Sequence, residues 1–134
     1  DGYSGYFPFG HKGGGNLDKN RVIKWLKDIC ECPADKVFHN AMYDVCWLRA
    51  MGITIHGRIF DTMIAASLVN ENRFRYDLGS LGWDYVGYGK NETELRAAAN
   101  EWGVDPKSDM WMLPSMYVGT YAERDAELRS ATRI

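Results

Sequence analysis

Nothing in the 134 residues runs apolar for long enough to cross a membrane, and no stretch near Asp1 has the make-up of a signal peptide. The three cysteines, Cys30, Cys32 and Cys46, are an odd set with no disulfide framework to build, so the expected compartment is reduced and cytosolic. Cys30 and Cys32 form a lone Cys-x-Cys. A zinc site would need two further ligands at paired spacing, which His11, His39 and His56 offer on paper alone, so buried thiols are the expectation. Positive charge is also short: 16 Lys and Arg against 18 Asp and Glu leave a net charge of −2, which excludes a domain that grips nucleic acid mainly through a basic face. Gly13-Gly14-Gly15 lacks the Lys-Ser/Thr of a phosphate-cradling loop and the spaced glycines of a dinucleotide fingerprint, and reads as a flexible connection.

What is present suits one globular domain with one core: 46% hydrophobic and 25% charged residues, with five Trp and eight Tyr for packing and base stacking. The chain is organised around Val37-Phe38-His39-Asn40-Ala41-Met42-Tyr43-Asp44. Val37 and Phe38 read as the end of a buried strand, and Ala41 to Met51 as a helix in which Val45, Leu48 and Met51 recur at helical spacing. The junction falls at His39-Asn40, and the carboxyl end of a strand is where open α/β sheets bind ligands. Asn40 and Asp44, four apart, project from one helical face about 6 Å apart at Cβ. Tyr121 and Asp125 repeat that spacing in a helix expected over 117–133, so two carboxylates on two helices would converge on a metal.

These two segments resemble the second and third motifs of the DEDDy class of 3'-5' exonucleases, to which the proofreading domains of family A DNA polymerases and ribonuclease D belong. Phe60-Asp61-Thr62-Met63, Leu78-Gly-Ser-Leu81 and Trp111-x-x-Pro114 stand between them in the order that family carries. The resemblance implies a ribonuclease H-like α/β fold with an incomplete mixed sheet flanked by helices. It also implies hydrolysis of single-stranded DNA, or RNA, from the 3' end with two divalent cations, Mg²⁺ or Mn²⁺. Asp125 would ligate one cation, Asp44 would hold the second through water, and Tyr121 would orient the attacking water. Asn40 and His39 would meet the substrate. A net negative charge does not oppose this, because carboxylates collect the cations that meet phosphate. A polymerase domain in the same polypeptide and a bacterial or phage-infected cytoplasm follow from the same likeness. A ribonuclease D-like enzyme and a non-catalytic nucleic-acid-binding domain are the alternatives.

The remaining expectations are local. Tyr6-Phe7-Pro8-Phe9 reads as a strand, and in the resembled family two earlier strands, the first with an Asp-x-Glu pair, would precede it; the chain is therefore expected to be a partial domain. Asp18 caps a helix to about Cys30 with Val22, Ile23, Leu26 and Ile29 inward, and Ile53-Thr-Ile55 reads as extended. Asp61 caps a helix over 62–69 with Ile64, Ala65 and Leu68 inward, and helices follow over 78–86 and 92–102. Asn70 to Asp77 is a polar loop in which Phe74 and Arg75 either touch a base and a phosphate or leave one anchoring ring in a solvated turn.

Overall fold

The structure is a computed structural model that describes residues 3–131. Where one core was expected there are two compact units, Asp1–Val22 with Lys90–Glu127, and Ile23–Gly89 with Leu128–Ile134. The helices are α1 (Lys19–Glu31), α2 (Ala41–Ala50), α3 (Thr62–Val69), α4 (Leu78–Val86), α5 (Thr93–Trp102) and α6 (Ser115–Ala131). Two strands, β1 (Lys36–Phe38) and β2 (Ile59–Asp61), pair in parallel, with Lys36 opposite Ile59 and Phe38 opposite Asp61. The class is α/β, with a smaller sheet among the described residues than expected.

In the second unit, β1, α2 and β2 form a crossover, the connection that parallel strands require. Its core is Cys30, Leu48 and Ile53, with Leu26, Phe38 and Ile55 against it. Asp18 caps α1 as expected, its Oδ1 accepting from the Arg21 N–H at 2.8 Å, but Ile29 is exposed and Cys30 is the buried residue of that turn. Cys32 is half-buried and Cys46 exposed, so of the three free thiols Cys30 alone meets the burial expectation. Ile53 is buried, but the segment expected to be extended joins no sheet among the described residues. Lys36 ties the approach to β1: its ammonium donates to the carbonyls of Cys32, Ala34 and His56, the last two at 2.7 and 2.8 Å.

The inward face expected of α3 is overturned. Ala66 is fully buried and Thr62 nearly so, while Ile64 and Leu68 are exposed. The rotation of this helix is set at its first residue, where the Thr62 hydroxyl donates to the Phe38 carbonyl at 3.2 Å, and positions four apart from Thr62 follow it inward. Met51, the C-cap of α2, is likewise exposed rather than inward.

The first unit packs Leu95, Ala98, Ala99, Leu113 and Val118 together, with Tyr6, Tyr117 and Tyr121 against them. Tyr6 to Phe9 is not a strand; the segment is held by the Pro8 carbonyl, which accepts from the Leu17 N–H at 2.7 Å, and by the Tyr6 ring on the core. The glycine loop is no loose connection either. Lys12 N–H donates to the Trp111 carbonyl at 2.8 Å, Ser115 N–H to the Gly14 carbonyl at 3.1 Å and the Ser115 hydroxyl to the Gly15 carbonyl at 2.8 Å. Gly14 and Gly15 have φ of 92° and 78°, a region that glycine enters without a Cβ penalty. His11 Nδ1 lies 2.8 Å from the Leu113 carbonyl and must be its donor, which leaves Nε2 to accept from the Tyr6 hydroxyl. The start of α6 is thereby fixed. The expected end of that helix near Arg133 lies outside the described residues.

Candidate active site

Of the residues singled out from the sequence, His39, Asn40, Asp44, Phe74 and Arg75 belong to the second unit, and Tyr121 and Asp125 to the first. The strand register explains the first group. Because Phe38 faces Asp61 across the parallel pair, the Asp61 carboxylate arrives beside the start of α2. Its two oxygens accept from Asn40 N–H at 3.0 Å and Ala41 N–H at 2.7 Å, and Oδ1 also accepts from Met63 N–H at 2.9 Å. One side chain thus caps two helices, of which the sequence disclosed one. Three donors without intrahelical partners are satisfied where the positive ends of both helix dipoles favour an anion.

Asn40 takes the left-handed conformation, φ 61° and ψ 58°, which Asn adopts more readily than most residues, and its side chain makes no capping bond. It is exposed at the strand end. His39 Nδ1 lies 2.9 Å from the Thr62 hydroxyl oxygen. That hydroxyl donates to Phe38, so the imidazole N–H is the donor here, and the ring is oriented by the protein. Asp44, one turn into α2, meets Arg129 with Nη1 at 3.4 Å from Oδ2. Burial is the main influence on its carboxyl and pushes it above the ordinary aspartate range; the nearby Asp61 charge adds to this, against the opposing pull of Arg129 and His39.

The second group is closer-knit. Lys90 Nζ donates to Asp125 Oδ2 at 3.0 Å and to the Tyr121 hydroxyl at 3.2 Å, and lies 5.4 Å from the centre of the Tyr121 ring. Burial pulls the Lys90 ammonium down most strongly, but the bond and charge of Asp125 together with Tyr121 outweigh it, and its pKa stands above the ordinary lysine value. The other Asp125 oxygen, Oδ1, is buried with no hydrogen-bond partner among the described residues, as is Arg129 Nε.

Phe74 is wholly exposed, at 103% of its reference area, so it is no anchor for its loop. Arg73 is the anchor: its guanidinium binds Asp84 and lies 5.9 Å from the Tyr85 ring centre, and its Nε donates to the Arg75 carbonyl at 3.3 Å. Phe74 and the exposed Arg75 are thereby presented outward.

Sequence reasoning missed Lys90 and Arg129. Arg129 stands four residues after Asp125, a spacing that could have marked it; Lys90, in the break after Gly89, carries no local signal. A cleft of about 350 Å³ in the first unit, lined by Asn91, Thr120, Glu123, Arg124 and Glu127, contains none of the expected residues. Among the described residues no three His, Cys, Asp or Glu side chains gather as a metal site, and no helix is long and apolar enough to cross a membrane.

Residues 15–130 match the family model described as 3'-5' exonuclease. A protein named DNA-directed DNA polymerase from Pseudomonas phage M6 is 41% identical over 131 residues, 96% of this chain and 20% of that protein. DNA polymerase DpoZ of Acinetobacter phage SH-Ab 15497 is 32% identical over 94% of this chain and 21% of its own length. DNA polymerase I of Chloroflexus aurantiacus is 34% identical over 54% of this chain and 8% of its own. The chain spans about a fifth of the length of the two phage relatives. With its motifs in order and the model matching nearly end to end, this chain belongs to the 3'-5' exonuclease domain family of family A DNA polymerases, a family of hydrolytic nucleases.

Proposed function

We propose that the chain is a proofreading domain on a ribonuclease H-like scaffold. It removes nucleoside 5'-monophosphates from the 3' end of single-stranded DNA with two divalent cations, in a polypeptide that also carries a polymerase domain. The relatives are named as DNA polymerases, which favours DNA over the RNA of a ribonuclease D-like enzyme.

The observation that carries the metal requirement is the Asp125 carboxylate. Its side chain is 15% exposed, Oδ2 is held by an ammonium, and Oδ1 is buried without a donor among the described residues. A buried anionic oxygen with no partner is costly and invites a cation. Carboxylate oxygens are hard ligands of the kind Mg²⁺ and Mn²⁺ take, so the donor chemistry fits.

Asp125 would ligate one cation directly and Asp44 would hold the second through water. Each such ion takes about six oxygen ligands. The remainder would come from water, substrate phosphate and the Asp-x-Glu pair that the resemblance implies. Bound divalent cations would supply positive charge on both sides of phosphorus and lower the pKa of the attacking water. The Tyr121 hydroxyl would orient that water through a hydrogen bond. Asn40 and His39 would bind the terminal nucleotide, with Phe74 stacking on a base and Arg75 meeting a phosphate.

The test uses the intact gene product that carries this chain, with end-labelled single-stranded DNA. Degradation with Mn²⁺ and none in chelator is expected. D125A should lower the rate by at least about 10³-fold, and Y121F the single-turnover rate by about 10- to 10²-fold with DNA binding kept. DNA binding with no Mn²⁺-dependent cleavage would make the domain a binding module instead.

A further inference from the structure

We propose that Lys90 is a built-in occupant of the Asp125 carboxylate, an ammonium that ties this acid to the Tyr121 hydroxyl and is displaced when a divalent cation arrives. The inference rests on the reading of Asp125 as a cation ligand. One nitrogen makes both bonds, 3.0 Å to Asp125 Oδ2 and 3.2 Å to the Tyr121 oxygen, so the acid and the phenol are held in register by a single charge.

That arrangement is incomplete as a neutralisation of Asp125. Lys90 serves Oδ2 alone and leaves Oδ1 buried without a partner among the described residues. A divalent cation brings twice the charge and can satisfy both oxygens. It also meets Lys90 as a like charge at contact distance, and the two repel. The ion pair therefore opens as the cation binds. Lys90 can yield because its side chain is 27% exposed and its four-carbon stem is flexible. The same ammonium leaves the Tyr121 hydroxyl, so cation arrival frees hydrogen-bonding capacity on the phenol at the moment the attacking water must be oriented.

The test measures Mn²⁺ affinity of the intact gene product by the loss of the free-ion EPR signal, for wild type, K90M, K90R and D125N. K90M should bind Mn²⁺ about five- to tenfold more tightly than wild type, while K90R, which keeps the competing charge, stays within about twofold. In unaltered wild-type protein, saturating Mg²⁺ should raise acylation of Lys90 by an amine-reactive probe, read by mass spectrometry. Mn²⁺ affinity lost in D125N but equal or weaker in K90M overturns displacement by Lys90 and leaves the metal-ligand reading standing. Lys90 acylation unmoved by saturating Mg²⁺ has the same meaning. Affinity unchanged in D125N, or no binding by any variant, overturns both.

Discussion

Asp44 and Asp125 are both acids four residues after a polar partner on a helix, yet their surroundings are built by opposite means. Around Asp44 the work is done by backbone: a parallel register places Asp61, Asp61 fixes the first turn of α2, and the carboxylate is left with one long ion pair to Arg129 at 3.4 Å. Around Asp125 a side chain does it, since Lys90 bonds both the acid and Tyr121. An acid placed by backbone depends on the fold of its whole neighbourhood. An acid placed by a side chain can be rearranged locally, as a site that exchanges one cation for another requires.

The largest blow to this contrast is D61A. It removes the acceptor of three backbone N–H groups at the starts of α2 and α3, and each lost cap costs about 1 kcal/mol. A loss of about 2 kcal/mol in urea denaturation is expected, against about 1 kcal/mol for D18A, which removes the cap of α1 alone. Equal losses from the two substitutions would show that the second helix start does not depend on Asp61, and the backbone account of Asp44 would fall.

That double cap also marks where the sequence was legible and where it was not. Asp61 before an apolar run announces one helix, because a cap and the helix it opens are neighbours in the chain. Its hold on Asn40 and Ala41 depends on strand register, which no local pattern carries. The limits of α4 and the Gly103 stop of α5, in a left-handed C-cap at φ 65°, are likewise local and were readable. The inward face of α3 was not, because Ile64 and Leu68 are as apolar as the buried set and only the Thr62 bond to Phe38 decides between rotations. Tyr6 to Phe9 has the composition of a strand, but a strand needs a neighbour to pair with, and here the backbone bonds and the Tyr6 ring go elsewhere. Of the candidate site, the residues that repeat a spacing could be named from the sequence, and Lys90 and Arg129, which contact the two acids, could not.

A smaller effect separates presentation from anchoring in the 70–77 loop. F74A should weaken single-stranded DNA binding by about 1–2 kcal/mol, the worth of one base stacked on a ring, and leave stability unchanged because the ring is fully exposed. R73A should do the reverse, destabilising the loop through loss of the Asp84 pair and the Tyr85 contact, with DNA binding falling only as the loop loosens. Fluorescence anisotropy and urea titration of both variants give the two readings. Unchanged DNA affinity in F74A would remove Phe74 from the substrate surface.

The smallest effect is a pH dependence at Asp44, and its sign follows from burial. The folded environment pushes this carboxyl above its ordinary value of 3.8: burial acts most strongly, Arg129 opposes it, and the smaller pushes of Asp61 and His39 run in opposite directions. A group that binds its proton more tightly folded than unfolded contributes stability that is complete below the unfolded value and is lost as pH rises through the folded one. Ionised Asp44 at neutral pH is therefore a cost to the fold, one that a divalent cation would relieve. D44N carries no such titration. Measured in chelator, wild type should lose stability relative to D44N as pH is raised from about 3 to about 7, by less than about 1 kcal/mol. The direction of the change is the test, because the pair with Arg129 forms only as the carboxyl ionises, opposes the effect of burial, and is long and partly exposed. Wild type gaining on D44N as pH rises would mean that Arg129 outweighs burial, and that Asp44 is held by its ion pair as Asp125 is held by Lys90.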